Sequence, residues 1–280
     1  MVRRVLVTGA AGSIGTDLRP RLARPGRVLR LMDLVPVPDP GPREEVVTGS
    51  VTDRDAVAAA VAGVDAVVHL AGIPDEAPWA DIVGANVDGT QAVLDAAVRA
   101  GVGHVVLASS NHAAGFHTRG GDGPLRATAE PRPDTFYGWS RAAVEALGRL
   151  YHDRSGTHVV CLRIGSWSQR PLDVRALSTW ISPDDGGRLV EAALAARGFH
   201  TVWGVSANTR RWWSLDEGAA LGYHPVDDAE AHAADLLGDA DLLCDADLLC
   251  DADGPDLTDP VHHRVGGAFT VVSLGERLDP

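Results

Sequence analysis

The feature that most restricts the fold is a glycine-rich turn set between a strand and a helix. Val2 to Thr8 is a short β-rich run that passes at once into Gly9-Ala10-Ala11-Gly12-Ser13-Ile14-Gly15, followed by a helix-compatible stretch to about Ala23. The first glycines permit a tight turn and let the backbone approach a pyrophosphate, and the last lets helix and strand pack closely. The helix start offers free N–H groups and a positive dipole end to the same phosphates. A glycine triad alone is weak evidence. Here it has its strand, its helix, and a second strand, Val28 to Asp33, ending on an acid 18 residues beyond Gly15. An acid there accepts hydrogen bonds from ribose hydroxyls and repels a 2′-phosphate, which points to NAD rather than NADP. Arg30 on the same strand would favour the opposite, but alternation along the strand directs it elsewhere.

The strand–helix rhythm continues. After the proline-rich loop Pro36 to Pro42, Glu45 to Thr48 reads as a third strand, Asp53 is placed to cap a helix running to Ala62, and Ala66 to Leu70 reads as a fourth strand. Helix Ile82 to Ala100, strand Val105 to Ser109, helix Ser140 to Tyr151 and strand His158 to Ile164 follow. Such alternation folds as a parallel sheet with helices on both faces, and apolar runs such as Ala66-Val67-Val68 suit burial on both sides. The expected fold is α/β, a doubly wound parallel (Rossmann) sheet over residues 1–165 with a small C-terminal substrate-binding lobe over 166–280. Residues 166–226 carry five of the seven tryptophans and one expected helix, Gly187 to Ala196, which marks a change of character at that boundary.

The net charge of −13 is unevenly spread. Residues 227–259 hold twelve acids and no Lys or Arg, so the rest of the 280-residue chain is close to neutral. Nothing offers a polyanion a basic face, and nucleic acid is not expected as a partner. No apolar run reaches the ~20 residues that span a bilayer, and the N-terminus lacks the pattern of a signal peptide. The three cysteines, Cys161, Cys244 and Cys250, are too few and too odd in number for a disulfide framework. A cytoplasmic protein without a membrane partner is expected. The acidic segment contains Asp-Ala-Asp-Leu-Leu-Cys twice, at 239–244 and 245–250. Carboxylates and thiolates suit different metals and no His is interleaved, so the expectation is a repeat-bearing surface loop and no metal site.

A second constellation carries the chemistry. Ser109-Ser110-Asn111-His112 ends the fifth strand, and Tyr137 and Arg141 open a helix 27 residues after Ser110. Ligands of open α/β sheets bind at the carboxyl ends of the strands, which places Ser110 where cofactor and substrate meet. Tyr137 and Arg141, four apart, share one helix face. A cation beside a tyrosine favours its phenolate, so the pair can act as a base near neutral pH, with the serine hydroxyl holding the substrate oxygen.

Gly9, Gly12 and Gly15 with Ser110, Tyr137 and a cation at 141 resemble the extended short-chain dehydrogenase/reductases, the NAD-dependent epimerase/dehydratase superfamily. More narrowly, the chain resembles the uronate dehydrogenases through Ser109-Ser-Asn-His112, Arg163-Ile-Gly-Ser166, Arg175-Ala-Leu-Ser-Thr-Trp180, Trp203-Gly-Val-Ser-Ala-Asn208, Trp212-Trp213 and Gly266-Gly-Ala-Phe269. The resemblance implies NAD-dependent oxidation of a hexuronate at C1 to the aldarolactone. It implies Tyr137 as the base, Ser110 and Arg141 as its catalytic companions, and Asn111, His112 and Ser166 on the sugar. Arg175 would grip the carboxylate, a task for which a planar bidentate donor is well suited. The implied cofactor contacts are Gly9, Gly12, Ser13, Ile14, Gly15, Asp33, Ser50, Val51, Leu70, Ala71, Gly72, Tyr137, Arg141 and Ile164. Asn86 is implied as a structural or proton-relay group, and a homo-oligomer as the assembly.

Three positions depart from the family pattern. Arg141 replaces its lysine in a chain with no lysine at all, Pro74 replaces a serine that contacts substrate, and Ser50 replaces an acid on the adenine. Two alternatives therefore stand beside the main reading: a dehydrogenase for another sugar or sugar acid, and a dinucleotide-binding sensor without turnover.

Overall fold

A computed structural model describes residues 2–119, 123–238 and 260–277. The elements are, in chain order, β1 (Arg4–Thr8), α1 (Ser13–Leu22), β2 (Val28–Asp33), β3 (Glu44–Thr48), α2 (Arg54–Val61), β4 (Ala66–His69), α3 (Trp79–Ile82), α4 (Gly89–Arg99), β5 (His104–Ser110), α5 (Phe136–Ser155), β6 (His158–Ile164), β7 (Ser166–Trp167), α6 (Ala176–Thr179), β8 (Trp180–Ile181), α7 (Pro183–Ala195) and β9 (Phe199–Gly204). Seven strands form one parallel sheet in the order β3-β2-β1-β4-β5-β6-β9, while β7 and β8 pair as a short separate ladder. The order reverses between β1 and β4, the switch point at which open α/β sheets bind their ligands.

Residue alternation explains the layers. Val5, Val7, Leu29, Leu31, Val68, Val106 and Val160 face one way and pack with α1 and α7. Their neighbours Leu6, Met32, Val67, Val105, Leu107, Val159 and Cys161 face the other way, onto α2, α4 and α5. Asp53 caps α2 as expected, its carboxylate accepting the N–H groups of Asp55 and Ala56.

Three elements differ from the sequence reading. The helix expected over Ile82 to Ala100 is interrupted by a π-turn, Val83–Asp88, between α3 and α4. Helix α5 starts at Phe136 rather than Ser140, because Thr135 caps it by accepting from the Gly138 N–H. The parallel sheet does not end with β6: β9 adds a seventh strand, and α7, which starts at Pro183 behind a Ser182 cap, covers the sheet face. Strand β9 lies at the sheet edge, and its first three residues, Phe199, His200 and Thr201, are only partly buried, which blurs the strand pattern. The tandem hexamer, with Cys244 and Cys250, lies outside the described residues.

The switch point is underpinned by His69, buried at the end of β4. Its Nδ1 meets Thr8 Oγ1 at 2.7 Å and its Nε2 meets Thr90 Oγ1 at 3.0 Å. Thr90 donates its own proton to the Asn86 carbonyl at 2.5 Å, so Nε2 must be the imidazole donor and Nδ1 the acceptor. Burial first, and then the charge of Arg141, push the His69 pKa from an ordinary 6.5 down to about 3. A folded-state pKa below the unfolded one means the unfolded chain takes the proton first. This contribution to stability is full above about pH 6.5 and is lost by about 1.4 kcal/mol per unit as the pH falls towards 3. The wild type is expected to lose over 1 kcal/mol more than His69→Gln between pH 7 and 5 in denaturant titrations. Parallel losses would contradict this assignment.

Candidate active site

The glycine turn leaves β1 with Gly9 in the left-handed region, at φ 70°. A Cβ on Gly9 would lie 2.7 Å from the Ala71 nitrogen, and one on Gly15 would lie 2.7 Å from the Ala10 Cα. Both neighbours are backbone, so the loops after β1 and β4 close on each other with no room for a methyl group. Asp33 holds the same turn: one carboxylate oxygen accepts the Ala11 N–H at 2.9 Å and the other the Val35 N–H at 3.3 Å. Every residue of the expected cofactor set, with Ser110, lines one cavity of about 730 Å³. Its volume suits a small-molecule ligand, and its cradle of glycines at the start of α1 suits a dinucleotide. Arg30 is turned away, bound to Glu45 at 2.9 Å and to the carbonyls of Ala60 and Ala62 at 2.7 Å each.

Ser110 is the last residue of β5. Its hydroxyl accepts the His112 N–H at 3.2 Å and faces Asn111 Oδ1 at 3.4 Å. Tyr137, on the first turn of α5, lines the same cavity. Its backbone N–H donates at 2.8 Å to Glu76, a buried carboxylate that also accepts the Gly275 N–H at 2.7 Å. The Arg141 guanidinium carbon stands 4.9 Å from the centre of the Tyr137 ring. Its planar fork donates to the carbonyls of Ala108 and Ile73, each at 3.2 Å, tying the β5 end to the β4 loop. Its Nε is buried with no hydrogen-bond partner. Asn86, in the π-turn, accepts the Ile73 N–H at 2.7 Å and donates to the Ile73 carbonyl at 3.1 Å and to Ser140 at 2.9 Å. It clamps the loop that carries Gly72 and Pro74.

The four residues expected on the sugar do not line this cavity. Three of them meet the C-terminal segment instead. Asn111 donates to the Val265 carbonyl at 3.0 Å, and Arg175 Nη2 donates to the same carbonyl. His112 bonds Asp134 at 2.7 Å, and its ring centre lies 4.1 Å from that of Phe269. Ser166 pairs with Thr179 at 2.8 Å, and Thr179 in turn donates to the Arg175 carbonyl at 3.2 Å. The sequence reading missed Glu76, Asp134 and the Val265 carbonyl. Their partners lie 61, 22 and 154 residues away, so no local spacing could reveal them. The one local sign was the acid at 134 immediately before the cap Thr135.

The sequence model of the NAD dependent epimerase/dehydratase family matches residues 5–170. The chain is 40% identical to a uronate dehydrogenase of Pseudomonas putida over 271 residues, covering 96% of each protein. It is also 40% identical to an NAD-dependent glucose-6-phosphate dehydrogenase of Haloferax volcanii, over 82% of this chain and 95% of that protein. A solved structure of a uronate dehydrogenase variant from Agrobacterium tumefaciens, complexed with NAD, is 37% identical with a TM-score of 0.88, over 99% of this chain and 100% of that one. With its glycine turn, strand order and matching length, the chain belongs to the NAD dependent epimerase/dehydratase family, among the uronate dehydrogenases.

Proposed function

We propose that this chain oxidises a hexuronate, D-glucuronate or D-galacturonate, at C1 to the aldarolactone, with NAD as the oxidant. The observation that carries this reading is the meeting of Ser110, Tyr137 and Arg141 with the glycine turn and Asp33 on one cavity. NAD, when bound, supplies the acceptor for the C1 hydride. Gly9, Gly12 and the N-terminus of α1 would hold its phosphates, and Asp33 its adenosine ribose. Tyr137 Oη takes the proton of the C1 hydroxyl as the C1–H bond breaks, and Ser110 Oγ orients that oxygen. Arg141 sets a permanent positive charge against the Tyr137 ring, where it favours the phenolate that accepts the proton and is neutralised by it. Unlike lysine it cannot release a proton, so the proton leaves Tyr137 by another route. Asn111, His112 and Ser166 would contact the sugar hydroxyls and Arg175 the carboxylate, supported by the convergence of Asn111 and Arg175 on Val265.

In this reading residues 1–165 hold the cofactor and 166–280 supply the smaller substrate-facing lobe, from which β9 returns to the sheet. The proposal also places the enzyme in the cytoplasm as a homo-oligomer. No helix among the described residues is long and apolar enough to cross a membrane. Trp79 and Trp139, with ring centres 4.5 Å apart, are 48% and 36% exposed, a patch that a second copy would cover. Sedimentation velocity of Trp79→Ser/Trp139→Ser is expected to show a smaller species than wild type; an unchanged value would move the interface elsewhere.

A substrate panel of glucuronate, galacturonate, glucose 6-phosphate and arabinose tests the substrate class. The uronates are expected to give the highest kcat/KM, and a higher value for any neutral sugar or sugar phosphate would overturn it. Asp33→Ser is expected to raise kcat/KM with NADP by about tenfold, the effect of removing roughly 1.4 kcal/mol of repulsion. No gain would show that another group rejects the 2′-phosphate, since Arg30 is held elsewhere.

A further inference from the structure

The Asp134 side chain has no exposure, and one of its carboxylate oxygens meets His112 Nδ1 at 2.7 Å. The carboxylate is enclosed by three glycines from three segments. Gly115 follows the 3₁₀ turn that carries His112, Gly138 follows Tyr137 on α5, and Gly266 follows Val265 in the C-terminal segment. A Cβ on Gly138 would stand 2.6 Å from Asp134 Oδ1, one on Gly115 2.7 Å from Asp134 Cβ, and one on Gly266 3.0 Å from Asp134 Cγ. Thr135 donates to Oδ1 at 3.0 Å while capping α5, which leaves Oδ2 for His112 Nδ1. The carboxylate thus sits where the loops bearing His112, Tyr137 and Val265 come together.

We propose that Asp134 is a positioning residue for the oxidation: it fixes the His112 proton on Nδ1 and leaves Nε2 to accept a hydrogen bond from a substrate hydroxyl. The proposal rests on the reading of His112 as a sugar contact. A carboxylate is an acceptor only, so the atom facing it must carry a proton. In the neutral ring Nε2 then holds a lone pair, and the pocket reads a hydroxyl as a donor. Phe269 walls one face of the imidazole and the Tyr137 ring lies 5.7 Å away on another side, which holds the ring in plane. Asparagine at 134 keeps the shape but can turn its amide N–H towards Nδ1. That would move the imidazole proton to Nε2 and make an acceptor into a donor.

The test is a double-mutant cycle read on separate constants. Asp134→Asn is expected to raise KM for the uronate by about tenfold, the worth of one misdirected hydrogen bond, with kcat and the NAD dissociation constant changed less than about threefold. In a His112→Ala background the same substitution is expected to change KM by less than about twofold, because Asp134 acts through the imidazole. A full loss in that background, or weakened NAD binding, would overturn the proposal and leave Asp134 a packing residue. Nitrogen-15 NMR of the imidazole in cofactor-free wild type supplies a readout independent of activity and of any variant's folding. The Nδ1–H form is expected, and the Nε2–H form would overturn the assignment. If no uronate is turned over, the substrate reading fails, while the spectrum still decides the tautomer.

Discussion

Tyr137→Phe is expected to lower kcat by about 10² to 10⁴, the range for losing a positioned general base, with NAD binding unchanged. The phenylalanine keeps the ring that stands 4.9 Å from the Arg141 guanidinium carbon and removes only the phenolic oxygen. The backbone N–H that donates to Glu76 is also retained, so the start of α5 and its link to Gly275 survive. Steady-state rates and cofactor titration on the same preparation separate the two effects. A variant within tenfold of wild type would mean that another group takes the proton. The nearest alternative is His112, whose ring centre lies 5.7 Å from that of Tyr137.

The largest expected loss of stability comes from the ion pair beneath the site. Arg163 and Glu145 are both buried and meet in a two-pronged pair, with Nε and Nη2 each 2.8 Å from a carboxylate oxygen. Ser109 donates to the same carboxylate at 2.6 Å, and Arg163 also holds the Ala129 carbonyl at 3.1 Å. Glu145→Gln strands a buried guanidinium without a counter-charge, which costs about 3–5 kcal/mol. For a chain of this size that corresponds to a fall of about 10 °C in Tm. Replacing both partners, as Glu145→Leu/Arg163→Met, removes the stranded charge and is expected to recover most of the loss. Thermal unfolding of the three proteins decides the matter: a double variant no better than the single one would show that Arg163 matters for the carbonyl it holds. Because Ser109 precedes Ser110, the single variant is also expected to lower activity.

What could be read directly from the sequence was what short-range chemistry dictates. The apolar run through Val5-Leu6-Val7 into the glycine turn marked β1, and Asp53 announced the start of α2. The glycine turn and Asp33 were visible because each needs only its own strand and helix, and both line the cavity. Strand β9 escaped because pairing with β6 through Val159↔Phe199 to Ile164↔Gly204 is a long-range event. Trp203, within that strand, stacks on Trp213 at 4.5 Å, a contact that the chain order does not announce. The π-turn at Val83–Asp88 escaped for another reason. An inserted residue leaves helical composition unchanged, yet it turns Asn86 inward to clamp Ile73. Arg141 could be named from the sequence, but not its bonds to Ala108 and Ile73, which bind two loops that lie apart in the chain. Beyond its place before the cap Thr135, Asp134 gave no sign, because its meaning comes from the three glycines that surround it in space.

The central claim is that hydride leaves C1 of a uronate for NAD while Tyr137 takes the hydroxyl proton. The most direct measurement uses D-glucuronate or D-galacturonate carrying deuterium at C1, with NAD, followed by mass analysis of the reduced cofactor. The account predicts that the nicotinamide gains the deuterium and that the lactone has lost it. Reduced cofactor without the label, or no reduced cofactor from either uronate, would contradict it.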